Sequence, residues 1–216
     1  MTLDQIISRG FTYLYSLWSK ESISSIEKIL DLPYIAFFGA SNAGKSSLIS
    51  NICRTKNLAF SSKTPGKTKE IIIFTPNHSF FHKKAFLVDF PGYGYAKVAN
   101  STLSQWEAIP EFVYQANIIK SYILIPVEKP LQEHDLMLMD MLEYKTFAIV
   151  LTKCDKVPFD EVKEKQEAIR KQLAHCSNFT GQVFLFSTKK VKNKENLEIS
   201  QEIFDILKNH INRISN

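Results

Sequence analysis

The chain has 216 residues, 44% hydrophobic and 23% charged, enough for one α/β core and too few for two. Its net charge of +5 is compatible with an RNA partner without demonstrating one. No uncharged apolar run approaches the roughly 18 residues of a membrane helix, Asp4 and Arg9 break any signal-peptide pattern, and Cys53, Cys154 and Cys176 have no C-x-x-C spacing, so we expect a cytoplasmic chain with reduced thiols.

Strand and helix patterns alternate along the chain, which predicts an α/β sheet with helices on both faces. Residues 2–30 read as an N-terminal extension, partly helical, with Ile23, Ile26, Ile29 and Leu30 on one face. The domain proper runs over 31–214. Its first strand is at 33–39 and its first helix at 45–54. Residues 55–68 are basic and turn-rich and lack apolar periodicity, as in a long functional loop. Strands at 70–74 and 84–89, separated by the turn Pro76-Asn77-His78, predict an antiparallel hairpin in an otherwise parallel sheet. A helix at 101–119 is expected to kink or break near Pro110. Strands at 121–127, 146–152 and 182–187 follow, with helices at 131–142, 160–173 and 195–211. The expectation is six strands, mixed and mostly parallel, in a three-layer sandwich.

Residues 39–46 read Gly39-Ala40-Ser41-Asn42-Ala43-Gly44-Lys45-Ser46, the phosphate-loop pattern G-x-x-x-x-G-K-S. The apolar stretch Tyr34–Phe38 precedes it, and a segment able to form a helix, Ser46–Cys53, follows. Glycines let successive backbone N–H groups converge on an anion, and the helix N-terminus behind them adds about half a positive charge. Lys45 is placed to reach β- and γ-phosphates, Ser46 to bind Mg²⁺, and Ser47 to extend the loop's contacts.

Three further segments follow in order. Asp89-Phe90-Pro91-Gly92 closes a strand as D-x-x-G. Asp89 can hold Mg²⁺ through water, and the Gly92 N–H can meet the γ-phosphate. Thr152-Lys153-Cys154-Asp155 fits [N/T]-K-x-D. A carboxylate there accepts from two donors of guanine that adenine lacks, and leaving such a polar pocket unpaired rejects the wrong base by roughly 10⁴-fold. The Lys153 stem covers the base. Phe186-Ser187-Thr188 ends the last strand like the element whose backbone meets guanine O6. Within the basic loop, Gly66-Lys67-Thr68 offers a hydroxyl, Thr68, to Mg²⁺ and the γ-phosphate, a contact whose loss on hydrolysis would make a switch.

Together these residues resemble the EngB (YihA/YsxC) family of translation-factor-type GTPases. The likeness rests on S-N-A-G-K-S-S at 41–47, S-K-T-P-G-K-T at 62–68, V-D-F-P-G-Y-G-Y-A-K-V at 88–98, Trp106, T-K-C-D-K at 152–156 and F-S-T at 186–188, and spans about residues 30–210. The resemblance implies a protein that binds GTP, GDP and Mg²⁺ and hydrolyses GTP slowly; we expect a monomer. It also implies a role in assembling the large ribosomal subunit and an association with cell division and septation. The chain departs from the family pattern at Ala40, at Pro126-Val127-Glu128 (where an acidic-x-Arg element is usual), and after F-S-x, where Asn193 stands near an expected glycine.

The residue after Gly92 is Tyr93, not the glutamine that orients water in many GTPases. Asn42 occupies the position that some related GTPases use to hold K⁺ beside the phosphates. Arg54, Lys56, Lys63, Lys67 and Lys69 crowd the long loop, where they can grip rRNA phosphates. Two competing readings stand: a nucleotide-gated scaffold for division proteins, and a small-molecule kinase, which would favour ATP and against which Asp155 speaks.

Overall fold

The segment Tyr34–Gly39 is buried along its whole length, as a strand covered on both faces must be. Its side chains divide by the two-residue repeat of a strand. Ile35 and Phe37 enter one core layer, while Tyr34, Ala36 and Phe38 enter the other. The computed structural model describes residues 11–17, 19–53, 70–77, 85–93, 103–188 and 194–214.

In chain order the strands are β1 (Phe11–Leu17), β2 (Tyr34–Gly39), β3 (Ile71–Pro76), β4 (Phe86–Asp89), β5 (Ile118–Pro126), β6 (Phe147–Thr152) and β7 (Phe179–Phe186). The helices are α1 (Lys20–Ser24), α2 (Lys45–Ile52), α3 (Leu103–Gln115), α4 (Glu133–Leu142), α5 (Phe159–Gln172) and α6 (Lys194–Ile214), with 3-10 turns at Glu27–Ile29 and Cys154–Lys156. The sheet order is β1-β3-β4-β2-β5-β6-β7. β4, β2, β5, β6 and β7 run parallel, and β3 is antiparallel to both of its neighbours. The expected hairpin is therefore the β3–β4 pair.

Leu48, Ile49 and Ile52 of α2 and Ile199, Ile203, Phe204 and Leu207 of α6 cover one face. Residues of α1, α3, α4 and α5, among them Ile23, Phe112, Leu138 and Val162, cover the other. Their spacings of three and four put each set on one helical stripe. The result is the expected helix–sheet–helix sandwich.

Among the described residues the sheet has seven strands, not six. Residues 11–17, read as part of a partly helical extension, form an edge strand antiparallel to β3, from Phe11 opposite Pro76 to Leu17 opposite Ile71. The segment is rich in strand-forming Thr and Tyr. A register irregularity between Tyr13 and Tyr15 interrupts its alternation. Its hydrogen-bond partners lie about 60 residues downstream, beyond the reach of local pattern.

Several boundaries also differ. α3 runs through Pro110 and ends at Gln115, so Ile118 and Ile119 belong to β5 rather than to a helix. Asn117 makes the break: its N–H donates to Leu30 O and its Nδ2 to Asp31 O, at 2.8 and 2.9 Å. β7 begins at Phe179, three residues early, and carries Gly181 at a φ of 74°. β5 ends at Pro126, where a ring without an N–H suits a strand terminus.

A partly buried polar cluster fastens α6 to the sheet. The Lys120 ammonium lies 3.3 Å from Glu202 Oε1 and donates to Gln182 Oε1 at 2.6 Å and to Thr180 Oγ1 at 3.3 Å. Tyr122 OH and Gln182 Nε2 also donate to Glu202, at 3.0 and 2.9 Å. Burial lowers the Lys120 pKa, and Glu202 opposes that shift. Lys120→Met removes the cation that faces the Glu202 carboxylate and leaves it only the Tyr122 and Gln182 donors. Urea unfolding is expected to show a loss of about 3 kcal/mol, and a loss below about 1 kcal/mol would mean that water screens the cluster.

Candidate nucleotide-binding site

The carboxyl ends of four parallel strands bring the predicted motifs together: Gly39 ends β2, Asp89 ends β4, Thr152 ends β6 and Phe186 ends β7. β2 has β4 on one side and β5 on the other, so its end is the point where successive connections diverge, the usual ligand position in such sheets.

The chain leaves β2 through a turn that needs glycine. At Gly39 a Cβ would lie 2.6 Å from the Leu124 carbonyl oxygen, and φ is 147°. Asn42 takes the left-handed conformation at φ 64°, which asparagine tolerates better than most residues. Gly44 is the N-cap of α2 and supplies no capping side chain, so the first-turn N–H groups and the helix dipole face the loop. Lys45 is 7% exposed and arches over the loop, donating to Gly39 O at 2.8 Å and Ala40 O at 3.2 Å. Burial pulls its pKa down, and the Asp89 charge pulls it back up. Ser46 is half-buried beside Asp89, while Asn42 and Ser47 are exposed.

Asp89 is 1% exposed, and its Oδ1 has no hydrogen-bond partner among the described residues. Burial raises its pKa to about 6, against the opposing effects of Lys45 and a hydrogen bond with Ser46. A buried, unpartnered carboxylate oxygen beside a hydroxyl is an oxygen donor set suited to a hard cation such as Mg²⁺.

D-x-x-G leans on the phosphate loop. The Ser41 N–H donates to Tyr93 O at 2.9 Å, Ser41 Oγ donates to Gly92 O at 3.3 Å, and Ala40 and Tyr93 form a parallel bridge. A Cβ on Gly92 would fall 2.7 Å from the Ser41 backbone, so no other residue fits without a shift.

The T-K-x-D and F-S-T segments expected to read the base are tied to the same loop. Thr152 Oγ1 donates to Ala43 O at 2.6 Å. Lys153 turns the chain at φ 58°, and Cys154–Lys156 follows as a 3-10 turn. Ser187 Oγ donates to Asp155 Oδ1 at 2.6 Å, joining the T-K-x-D and F-S-T segments. Phe186 is buried in the core, so only its backbone can face a ligand, while Thr188 is exposed. Gly66, Lys67 and Thr68, the other basic-loop residues and Asn193 lie outside the described residues, as does the side chain of Trp106.

Sequence reasoning missed Asp135. The Tyr93 hydroxyl donates to Asp135 Oδ1 at 2.5 Å, and the Gln132 N–H donates to Oδ2 at 2.8 Å. Burial first, and then the Asp135 charge, push the Tyr93 phenol far above its ordinary pKa, so it remains a donor. The available signal was Asp135 at the third position of α4, three residues after Gln132, where a side chain can cap the helix. Its pairing with Tyr93, 42 residues earlier, has no local signature.

Phosphate loop, buried strand-end aspartate and base-reading pair on a mostly parallel sheet define a P-loop GTPase. The family model described as "50S ribosome-binding GTPase" matches residues 34–153. The "Probable GTP-binding protein EngB" of Caldanaerobacter subterraneus subsp. tengcongensis is 36% identical over 182 residues, covering 81% of this chain and 88% of that protein. Its counterpart in Caulobacter vibrioides is 40% identical over 152 residues, covering 67% and 64%. A crystal structure of a probable GTP-binding protein engB superposes with a TM-score of 0.59 at 20% identity, covering 82% of this chain and 99% of that one. Era in complex with MgGDPNP and nucleotides 1506-1542 of 16S ribosomal RNA gives a TM-score of 0.60 at 21% identity, covering 83% and 57%. This chain belongs to the EngB family of GTP-binding proteins and is a GTPase.

Asp89 makes stability depend on pH. Its folded-state pKa lies above that of an unfolded aspartate, so its contribution is full below about pH 4 and is lost as pH rises through about 6. Asp89→Asn is expected to stabilise the nucleotide-free protein by about 1–3 kcal/mol at pH 7 and by almost nothing at pH 4. Urea midpoints at the two pH values check this, and equal effects at both would contradict it.

Proposed function

We propose that this GTPase is a Mg²⁺-dependent switch in assembly of the large ribosomal subunit, working as a cytoplasmic monomer and needed for normal cell division and septation. The observation that carries the nucleotide part is the convergence of Asp155–Ser187, Thr152 and Asp89 on one phosphate loop. The family description and the RNA-bound Era structure support the ribosomal part.

In this reading, the N–H groups of residues 39–47 cradle the phosphates and Lys45 serves the β- and γ-phosphates. Ser46, Thr68 and (through water) Asp89 would hold Mg²⁺, whose charge offsets that of the phosphates when bound. Gly92 meets the γ-phosphate, Gly66-Lys67-Thr68 close over it, and Asp155, Lys153 and the backbone of 186–188 read guanine. Tyr93 cannot stand in for a water-orienting glutamine, because its hydroxyl is committed to Asp135. Hydrolysis by the unassisted protein is therefore slow, on the order of 10⁻⁴ to 10⁻² per second.

Calorimetric titration with GDP, a non-hydrolysable GTP analogue and ATP tests the base reading. Micromolar guanine binding, lost in Asp155→Ala and absent for ATP, is expected. ATP binding as tight as GDP would return the small-molecule kinase to consideration.

The basic loop is proposed to grip rRNA and Asn42 to hold K⁺ beside the phosphates. Binding to purified large subunits should fall steeply between roughly 50 and 200 mM salt, and hydrolysis should run faster in K⁺ than in Na⁺. A flat salt response removes the RNA contact, and equal rates in the two cations remove the potassium site. Capture of division proteins in place of subunits would favour the scaffold reading.

A further inference from the structure

Tyr93, the residue after D-x-x-G, is 6% exposed and held from both ends. Its backbone is bridged to Ala40, and its carbonyl accepts from the Ser41 N–H. Its hydroxyl donates to Asp135, itself 5% exposed, in the first turn of α4. The His134 ring lies nearly parallel to the Tyr93 ring, 6.4 Å away. Gly92 is thus set between the phosphate loop, where a Cβ would strike Ser41, and a neighbour anchored to a helix.

Asp135 is itself fixed in two directions. The Gln132 N–H takes its second oxygen. At the other end of the short segment before α4, the Val127 N–H donates to Thr152 O at 2.9 Å, and Lys156 pairs with Glu128 at 3.0 Å. Thr152 in turn donates to Ala43 of the phosphate loop. The contacts close a ring: phosphate loop, Thr152, the 127–132 segment, Asp135, Tyr93 and the phosphate loop again. A displacement of Asp135 is passed to Tyr93 by one buried hydrogen bond and from Tyr93 to Gly92 by one peptide link.

We propose that Asp135 is a positioning residue for the terminal phosphate of GTP: by holding the Tyr93 hydroxyl it keeps Gly92 in reach of that phosphate. GDP lacks that phosphate, so the anchor bears on GTP and not on GDP. The proposal rests on the proposed role of Gly92 at the γ-phosphate.

The test is the ratio of affinities for a non-hydrolysable GTP analogue and GDP, measured by calorimetry with Mg²⁺. Tyr93→Phe and Asp135→Ala are each expected to lower that ratio about tenfold, the scale of one hydrogen bond to a charged group. The double variant should fall no further than either single one, because both remove the same bond. Leu138→Ala, which thins the packing beneath α4 and leaves the hydrogen bond in place, should lower the melting temperature and leave the ratio unmoved.

A ratio unchanged in Tyr93→Phe overturns the proposal. So do additive losses in the double variant, equal losses for both nucleotides, or a Leu138→Ala ratio that falls with stability. Guanine binding by the unaltered protein together with any of these results defeats the positioning role alone. Absence of guanine binding in the unaltered protein defeats the reading on which it rests.

Discussion

The backbone of β5 passes so close to the end of β2 that no side chain fits at Gly39, and the construction of the site follows from that contact. Forced off the sheet there, the chain turns through a left-handed Asn42 and enters α2 at a glycine N-cap. The same turn that frees the backbone from the sheet also removes its ordinary hydrogen-bond partners. N–H groups and the positive end of α2 then point to one place, which is the physical basis of anion binding. Lys45 adds a full charge, buried and braced on the carbonyls of the loop it spans.

The apolar core holds such a loop only through small residues, Ala43 in one layer and Ala40 against the other, because its job is to present polar groups. Three hydrogen bonds to neighbouring motifs add to that hold: Thr152 on Ala43, and Ser41 on both Gly92 and Tyr93. Each runs between segments that themselves touch the nucleotide in the proposed function. The segments proposed to read the base and to hold the phosphates are therefore mechanically one unit, and the buried Asp89 sits inside it. The cost is visible in Asp89, a carboxylate kept in low-dielectric surroundings with one oxygen unpartnered. A site that binds a cation or a polyanion must carry uncompensated polar groups, and a fold optimised only for stability would not retain them.

Polar groups elsewhere are treated differently. Around Lys120 the charge is matched by Glu202, and Gln182, Thr180 and Tyr122 complete the hydrogen bonds. Nothing there is left for a ligand, and the cluster serves to seat α6 on the sheet. The network under α6 matches its charge, whereas Asp89 keeps one carboxylate oxygen unpartnered; the buried Ser121 hydroxyl of β5 is also unpartnered, so an orphan oxygen marks the site only together with the motif around it.

The amino-acid sequence alone determined the phosphate loop, the order of the motifs and the helix–sheet–helix architecture. These depend on local facts: glycine at fixed spacing, apolar runs of strand length, and helical stripes at spacings of three and four. The antiparallel β3–β4 pair was legible for the same reason, since two short apolar runs lie close together in the chain. Tertiary structure alone decided that residues 11–17 are a strand, because their partner is β3 and pairing at a sheet edge leaves no mark on the strand's own periodicity. It alone placed Ile118–Lys120 in β5, where Asn117 breaks the helix through contacts with Leu30 and Asp31. It alone joined Tyr93 to Asp135 and Ser187 to Asp155. A hydrogen bond between distant residues is set by where the sheet carries them. Sequence specifies the donors and acceptors, and only the packed fold specifies which of them meet.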